Sequence, residues 1–220
     1  MIARKTAKTA SIVVTAGPTR EKIDPVRFIS NYSTGTFGYE IAKEAARRGC
    51  RVTLVSGPTC LENPPGIRTV RVESAREMKA AVERSLKGAD CLIMAAAVSD
   101  WRAARPSAKK LKRGSGRPSL ELVENPDILA AVAARKRGRP QLVGFALETE
   151  ALEKNAMEKL RKKGLDMIIA NAIKKGSAPF GDNNINIMIF DRYGRRARVH
   201  GATKRQAAKI VLDKVFGFNI

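Results

Sequence analysis

Short apolar runs alternate with amphipathic helical stretches through most of this chain, and that alternation leaves few folds open. The runs predict strands at 11–15, 51–55, 69–72, 91–95, 141–145 and 166–170. They are apolar throughout rather than alternating with polar residues, as strands covered on both faces must be. The stretches between them have helical period and readable ends. Phe37, Ile41 and Ala45 recur every four residues, and Gly49 follows as a stop. Ser74-Ala75-Arg76-Glu77 is a capping-box pattern ahead of Met78, Val82 and Leu86, with Gly88 ending the run. Asn125-Pro126-Asp127 supplies an N-cap, a proline at the first helical position and an acid in the first turn. Ile128, Leu129, Val132 and Ala133 then form the buried stripe. A further helix is expected at 149–163, burying Leu152, Ala156 and Leu160.

Strand–helix alternation of this kind specifies an α/β fold: three layers, Rossmann-like, a mostly parallel sheet with helices on both faces. Residues 107–118 are basic and contain Gly and Ser, so a mobile loop is expected there. Residues 174–184 form a second loop, leading to an alternating strand at 185–190, a strand at 197–199 and a helix at 204–215. Residues 1–10 are expected to be a disordered basic tail, and 11–220 a single domain without internal repeats.

Composition narrows the function. A chain of 220 residues with 44% hydrophobic and 29% charged residues can bury a sizeable core. No apolar run is long enough to span a bilayer or to serve as a signal-peptide core, so no membrane partner and a cytoplasmic location are expected. One histidine and three cysteines without metal spacing exclude a zinc site and a Ser-His-Asp triad. The net charge of +21 suits either a nucleic acid or a small, highly anionic substrate. Aromatics are only 5% and do not interleave with the basic runs, which argues against single-stranded nucleic acid.

The chemistry concentrates after the first strand. Val14-Thr15-Ala16-Gly17 runs into a turn, and Arg27, Asn31, Ser33 and Gly35 lead into the first helix. Glycines between a strand and a helix start let backbone N–H groups converge on a phosphate; Gly17, Gly35 and Gly38 are the candidates. They are equally compatible with ordinary turn glycines. The pattern is neither Gly-x-Gly-x-x-Gly nor a P-loop. No acid follows the second strand, where Ser56-Gly57 stands instead, which weighs against a nicotinamide-dependent oxidoreductase. Ala95-Ala96-Ala97-Val98-Ser99-Asp100 leaves another strand end. Small residues there allow close approach to a ligand, and Asp100 could hold a ribose hydroxyl or a magnesium ion, or simply act as a cap. Lys109-Lys110-Leu111-Lys112-Arg113 reads as a solvated run or as a loop whose lysine closes on a triphosphate. Lys159 and Lys163, four apart, can reach one anion. Asn31 can orient an acyl group or close an Asx turn.

Taken together, these segments resemble the phosphopantothenate–cysteine ligases (phosphopantothenoylcysteine synthetases) of coenzyme A biosynthesis. The resemblance rests on Thr15-Ala16-Gly17, Asp24-Pro25-Val26-Arg27-Phe28-Ile29-Ser30-Asn31, Val52 to Pro58, Ala96 to Asp100, Lys110 to Arg113, Asn125 to Leu129, Val143 to Ala146 and Lys159 to Asp166, in order along nearly the whole chain. It implies a two-step reaction. 4′-Phosphopantothenate attacks the α-phosphate of CTP, releasing pyrophosphate and forming an acyl-cytidylate; the amino group of cysteine then displaces CMP. By position, the resemblance implies that Asn31 contacts the intermediate and that Arg27 shapes its loop. The backbone of Met94, Ala95 and Ala96 and the turn of Pro126, Asp127, Ile128 and Leu129 would wall the cytidine. Asp100, Lys110, Phe145, Lys159 and Lys163 would contact the nucleotide further. Catalytic roles thus fall to Asn31, Lys110 and Arg27, with Mg2+ at Asp100 and no flavin. In most bacteria the synthetase is the C-terminal half of a bifunctional flavoprotein. The resemblance therefore also implies a homodimer and a stand-alone or excised synthetase, with the decarboxylase a possible separate partner. The chain departs from the family pattern at Pro18, at Thr36-Phe37, at Leu111 and Arg113, and at Ser99, where the pattern has alanine.

Overall fold

The structure is a computed structural model that describes residues 10–113, 119–135, 140–172 and 184–217. In chain order these fold into β1 (Ser11–Ala16), β2 (Arg20–Lys22), β3 (Phe28–Ser30), α1 (Thr36–Arg47), β4 (Arg51–Ser56), β5 (Arg68–Arg71), α2 (Ala75–Ser85), β6 (Cys91–Met94), β7 (Trp101–Ala103), β8 (Leu122–Glu124), α3 (Ile128–Ala133), β9 (Gln141–Glu148), α4 (Leu152–Lys162), β10 (Met167–Ala172), β11 (Ile185–Asp191), β12 (Arg196–Ala202) and α5 (Lys204–Gly217).

Eight strands make one sheet in the order β12-β11-β10-β9-β6-β1-β4-β5. The six from β10 to β5 are parallel, and β11 and β12 close one edge antiparallel. Both faces are covered, as the apolar runs require. Val14, Leu54, Ile93, Val143 and Ile169 point to the face held by α1 and α5. Their neighbours Val13, Val55, Leu92, Leu142 and Ile168 point to the face held by α2, α3 and α4. Ala10, assigned to the disordered tail, is already buried, and its carbonyl accepts from the Arg51 N–H at 2.9 Å. Residues 1–9 lie outside the described residues, as do 114–118 and 173–183, which carry most of the second expected loop.

Helix ends explain several boundaries. The Ser74 hydroxyl accepts from the Glu77 N–H at 3.2 Å, and the Glu77 carboxylate reaches back to the Glu73 N–H at 2.7 Å, so the capping box forms one residue early on its return arm. At α3 the cap is Asp127 rather than Asn125. The Asp127 carboxylate accepts from the Ala130 N–H at 3.0 Å, which leaves Pro126 before the helix. Helix α4 begins at Leu152 rather than 149, behind Ala151 in a left-handed conformation (φ 48°). Two small hairpins, β2–β3 and β7–β8, stand outside the main sheet.

Helix α1 is tied to α5 through the buried carboxylate of Glu44. It accepts from Arg47 at 2.7 Å and from Arg48 at 2.8 Å, and Arg48 continues to the Lys209 carbonyl and to Asp213 of α5. The Arg47 hydrogen bond, against an opposing effect of burial and with help from Arg48, lowers the Glu44 pKa to about 2. A carboxyl depressed on folding stabilises the native state above its unfolded pKa, and that contribution disappears as pH falls through the folded value. Stability should therefore drop between about pH 5 and 2. Glu44→Gln should lower stability at pH 7 by roughly 1.5–3 kcal/mol, the scale of hydrogen bonds to a charged group. It should also flatten part of the acid slope, read by thermal unfolding at each pH.

Candidate functional site

Strand order reverses between β1 and β6, because the chain leaves β1 for β4 on one side and returns from β5 to β6 on the other. In open α/β sheets a crevice opens at such a point, outside the carboxyl ends of the strands. The two loops that meet there are hydrogen-bonded together. The Ala97 N–H donates to the Gly17 carbonyl at 2.9 Å, and the Thr19 N–H returns a bond to the Ala97 carbonyl at 3.2 Å. The Thr15 hydroxyl accepts from the Ala96 N–H at 3.1 Å, and the Thr19 hydroxyl from the Ser99 N–H at 3.0 Å. Asn31 joins the same point, its side-chain amide donating to the Ala97 carbonyl at 3.0 Å. Asn31 thus bridges two distant loops instead of closing a local Asx turn.

Glycine is required where this junction is tightest. A Cβ on Gly57 would stand 1.8 Å from the Pro18 carbonyl oxygen, so the β4 loop packs directly on the β1 turn. Gly35 (φ 81°) is the N-cap of α1 and lies against Gly17, and no side chain caps that helix. The N–H groups of the α1 start therefore remain available to an anion. The Ser33 hydroxyl accepts from the Gly35 N–H at 3.3 Å and shapes that entry. Gly38, expected as a third phosphate glycine, has another role: a Cβ there would meet Ala16 and Thr15, so its absence lets α1 lie close on β1.

Beside the junction, between the ends of β6 and β9, lies a cavity of about 170 Å3. Met94, Ala96, Asp100, Pro126, Asp127, Ile128, Leu129, Phe145, Lys159 and Lys163 line it, together with Val98, Ser99 and Asn125. Nearly all of the nucleotide candidates therefore meet at one place. Asn125 builds its wall by donating to the Ser99 carbonyl at 2.9 Å, while its N–H donates to the Asp100 carbonyl at 2.7 Å. The two lysines are placed differently. Lys163 pairs with Asp127 at 2.7 Å. Lys159 is held below the ordinary lysine range, first by burial and then by the charge of Lys163. A polyanion placed between them would relieve that repulsion.

Gly17, Ser33, Gly35, Asn31 and Ala95 border the junction without lining the cavity, and Arg27 and Lys110 belong to a neighbouring clamp. Its centre is Asp24, a buried carboxylate on which sequence analysis placed no role. Asp24 accepts from the Val26 and Arg27 N–H groups at 2.8 Å each, from the Arg27 guanidinium, and from the Leu111 N–H at 3.1 Å. Burial pushes its pKa up, but the Arg27 and backbone hydrogen bonds outweigh that and hold it well below the usual carboxylate range. Arg27 also donates to the Leu111 carbonyl at 2.6 Å, and the Ser107 N–H donates to the Ile23 carbonyl at 2.8 Å. Described residues 107–113 are thus anchored where a mobile loop was expected, and Arg27 is engaged in holding them. The spacing Asp24-Pro25-Val26-Arg27 carried the signal: a carboxylate three residues before an arginine, with its own turn amides between.

A fold of this topology with a cavity at its strand-order reversal defines a nucleotide-binding class of α/β protein. Comparison with known proteins then gives the family. Residues 7–218 match the model of the DNA/pantothenate metabolism flavoprotein C-terminal domain, and the chain belongs to that family. It is 42% identical over 211 residues to the coenzyme A biosynthesis bifunctional protein CoaBC of Escherichia coli strain K12, covering 94% of this chain and 52% of that protein. The chain spans about half the length of the curated relatives it matches most strongly. Among solved structures, the C-terminal domain of a CoaBC superposes with a TM-score of 0.80 at 36% identity, covering 96% of both chains. A Cab2 variant in complex with phosphopantothenate-cysteine shares the fold at TM-score 0.73 and 16% identity, covering 93% of this chain and 86% of that one. No helix among the described residues is long and apolar enough to cross a membrane.

The clamp gives a direct test. Arg27→Ala removes the guanidinium bonds to Asp24 and Leu111 and should loosen residues 107–113. Tryptic cleavage after Lys109, Lys110 and Lys112 should accelerate by about tenfold or more, the change expected when local opening costs about 1.4 kcal/mol less. Thermal unfolding should shift little by comparison.

Proposed function

We propose that this chain is a phosphopantothenate–cysteine ligase of coenzyme A biosynthesis that uses CTP. The cavity at the β6 and β9 ends carries the proposal, because one apolar slot there adjoins two lysines and an uncapped helix start. The similarity to CoaBC over 94% of the chain supports the same reading. A carboxylate oxygen of 4′-phosphopantothenate attacks the α-phosphorus of CTP; a P–O bond forms and pyrophosphate leaves. The amino nitrogen of cysteine then attacks the activated acyl carbon, CMP leaves, and the nitrogen gives up a proton. Neither step needs a covalent protein nucleophile. Both need orientation and stabilised phosphate charge.

The residues divide that work. Met94, Ala96, Phe145 and the turn 126–129 take the cytidine, while Lys159 and Lys163 neutralise the phosphates. Lys110, held near the junction by the Asp24 clamp, adds positive charge as pyrophosphate develops. Arg27 is a positioning residue that fixes that loop. Asn31 orients the acyl group from its place on the Ala97 carbonyl. The described residues contain no cluster of three metal-ligating side chains. A magnesium ion fits only as one carried by phosphate oxygens, with Asp100 as a single protein ligand. Such an ion would neutralise the leaving pyrophosphate. The reading assigns no flavin to these residues.

Purified protein with CTP, magnesium, 4′-phosphopantothenate and cysteine should yield CMP, pyrophosphate and the cysteine amide. A kcat/KM ratio favouring ATP would overturn the base assignment alone, and absence of product with every nucleotide would overturn the ligase reading. Asn31→Asp should bind CTP normally but lose roughly 10²-fold or more in turnover, the scale of one positioned donor. Mass spectrometry of quenched reactions separates the acyl-cytidylate from the final amide.

The reading includes a homodimer. Phe28 (45% exposed), Trp101 (48%) and Leu122 (43%) lie on the two hairpins outside the main sheet, where β2 packs against β7. Large apolar side chains displayed together outside a covered sheet suit a partner surface. Trp101→Glu should convert a dimer to a monomer in analytical ultracentrifugation without lowering the monomer's helical circular dichroism.

A further inference from the structure

Among the described residues, one buried side-chain oxygen or nitrogen has no hydrogen-bond partner: the hydroxyl of Ser99. Buried polar groups are almost always satisfied, so an exception asks for an explanation. Ser99 is 5% exposed and lines the cavity between β6 and β9. Its backbone is fully committed. The N–H donates to the Thr19 hydroxyl at 3.0 Å, and the carbonyl accepts from the Asn125 side chain at 2.9 Å. Those two bonds fix the residue from both sides, one from the β1 turn and one from the turn ahead of α3. The hydroxyl is the polar group of Ser99 left for whatever enters the cavity.

We propose that the Ser99 hydroxyl is a specificity-determining group that hydrogen-bonds the nucleoside part of the bound nucleotide. This rests on the cavity being the nucleotide site. The chemistry fits: a serine hydroxyl both donates and accepts, so it can meet a ribose hydroxyl or a base carbonyl or amine. The wall around it is apolar at Met94, Val98, Ile128 and Phe145, which suits a base and sugar rather than phosphates. The phosphate-directed charges are the lysines of α4 and its end, not this loop. Where the family pattern has alanine, an occupant would have one contact fewer.

An unpaired buried hydroxyl destabilises the free protein and becomes useful only when a ligand pairs it. Replacing it should therefore have opposite effects on the two states. In Ser99→Ala, the free protein should unfold at a temperature about 2–4 °C higher, as removal of an unsatisfied buried group predicts for a chain of this size. Its affinity for CTP and for CMP should fall by about 3- to 10-fold, the range for one neutral hydrogen bond. Affinity for inorganic tripolyphosphate should stay the same. Calorimetric titration of the parent and Ser99→Ala with these three probes, together with thermal unfolding of each free protein, reads all of this. Equal CTP affinity in both proteins overturns the proposal and leaves the nucleotide site standing. A variant that loses both stability and affinity shows a structural hydroxyl and also overturns it. A parent that binds neither CTP nor CMP overturns the nucleotide site and the proposal with it.

Discussion

Parallel strands end with unpaired backbone groups, and the hydrogen bonds joining the β1 and β6 loops solve that problem here. Gly17, Thr19 and Ala97 exchange main-chain bonds at 2.9 and 3.2 Å, and the Thr15 and Thr19 hydroxyls take the next two amides. The junction does more than satisfy donors and acceptors. It fixes the floor on which Asn31 rests, the wall that Ser99 and Asp100 contribute, and the angle at which the β4 loop passes Pro18. A rigid junction of this kind is what a site needs if small displacements are costly to chemistry.

The layers were legible in the sequence because burial on both faces leaves an unmistakable pattern. Runs such as Ile12 to Val14 and Leu92 to Met94 admit no solvent face, and the capping residues mark where the helices begin. The hairpins were not legible. β2, β3, β7 and β8 are three residues each and largely exposed, so neither period nor hydrophobicity distinguishes them from loop. Asp127 displaced Asn125 as a cap because Asn125 was needed on the Ser99 carbonyl, a contact 26 residues away. Local propensity carries no information about such a competitor.

The candidate site shows the same division. Its cavity residues could be named in advance because strand ends and the turn before a helix are readable positions, and a family resemblance adds their roles. Asp24 went unread because a buried carboxylate looks, in sequence, like any loop acid. Its five recorded bonds come from a turn and from a loop 87 residues away, and only the folded chain brings them together. The net charge of +21 is also better understood. Arg47, Arg48, Arg192, Arg195 and Arg196 are paired with acids at the surface or on helices, where ion pairs contribute little to stability. The surplus acts at longer range, as a field that raises the arrival rate of an anionic substrate and weakens with salt.

The bonds that join the β1 and β6 loops also order events in time. They link residues 80 and 81 positions apart, so neither loop can be fixed by its own neighbourhood. On a ribosome, the β1–α1–β4 segment emerges with its glycine turn complete in sequence but without the partner that holds it. Contacts this distant carry a large loop-closure cost and tend to form late. The nascent N-terminal half must therefore wait, with an unsatisfied strand end, until Ala97 and Ser99 have been synthesised and β6 has docked.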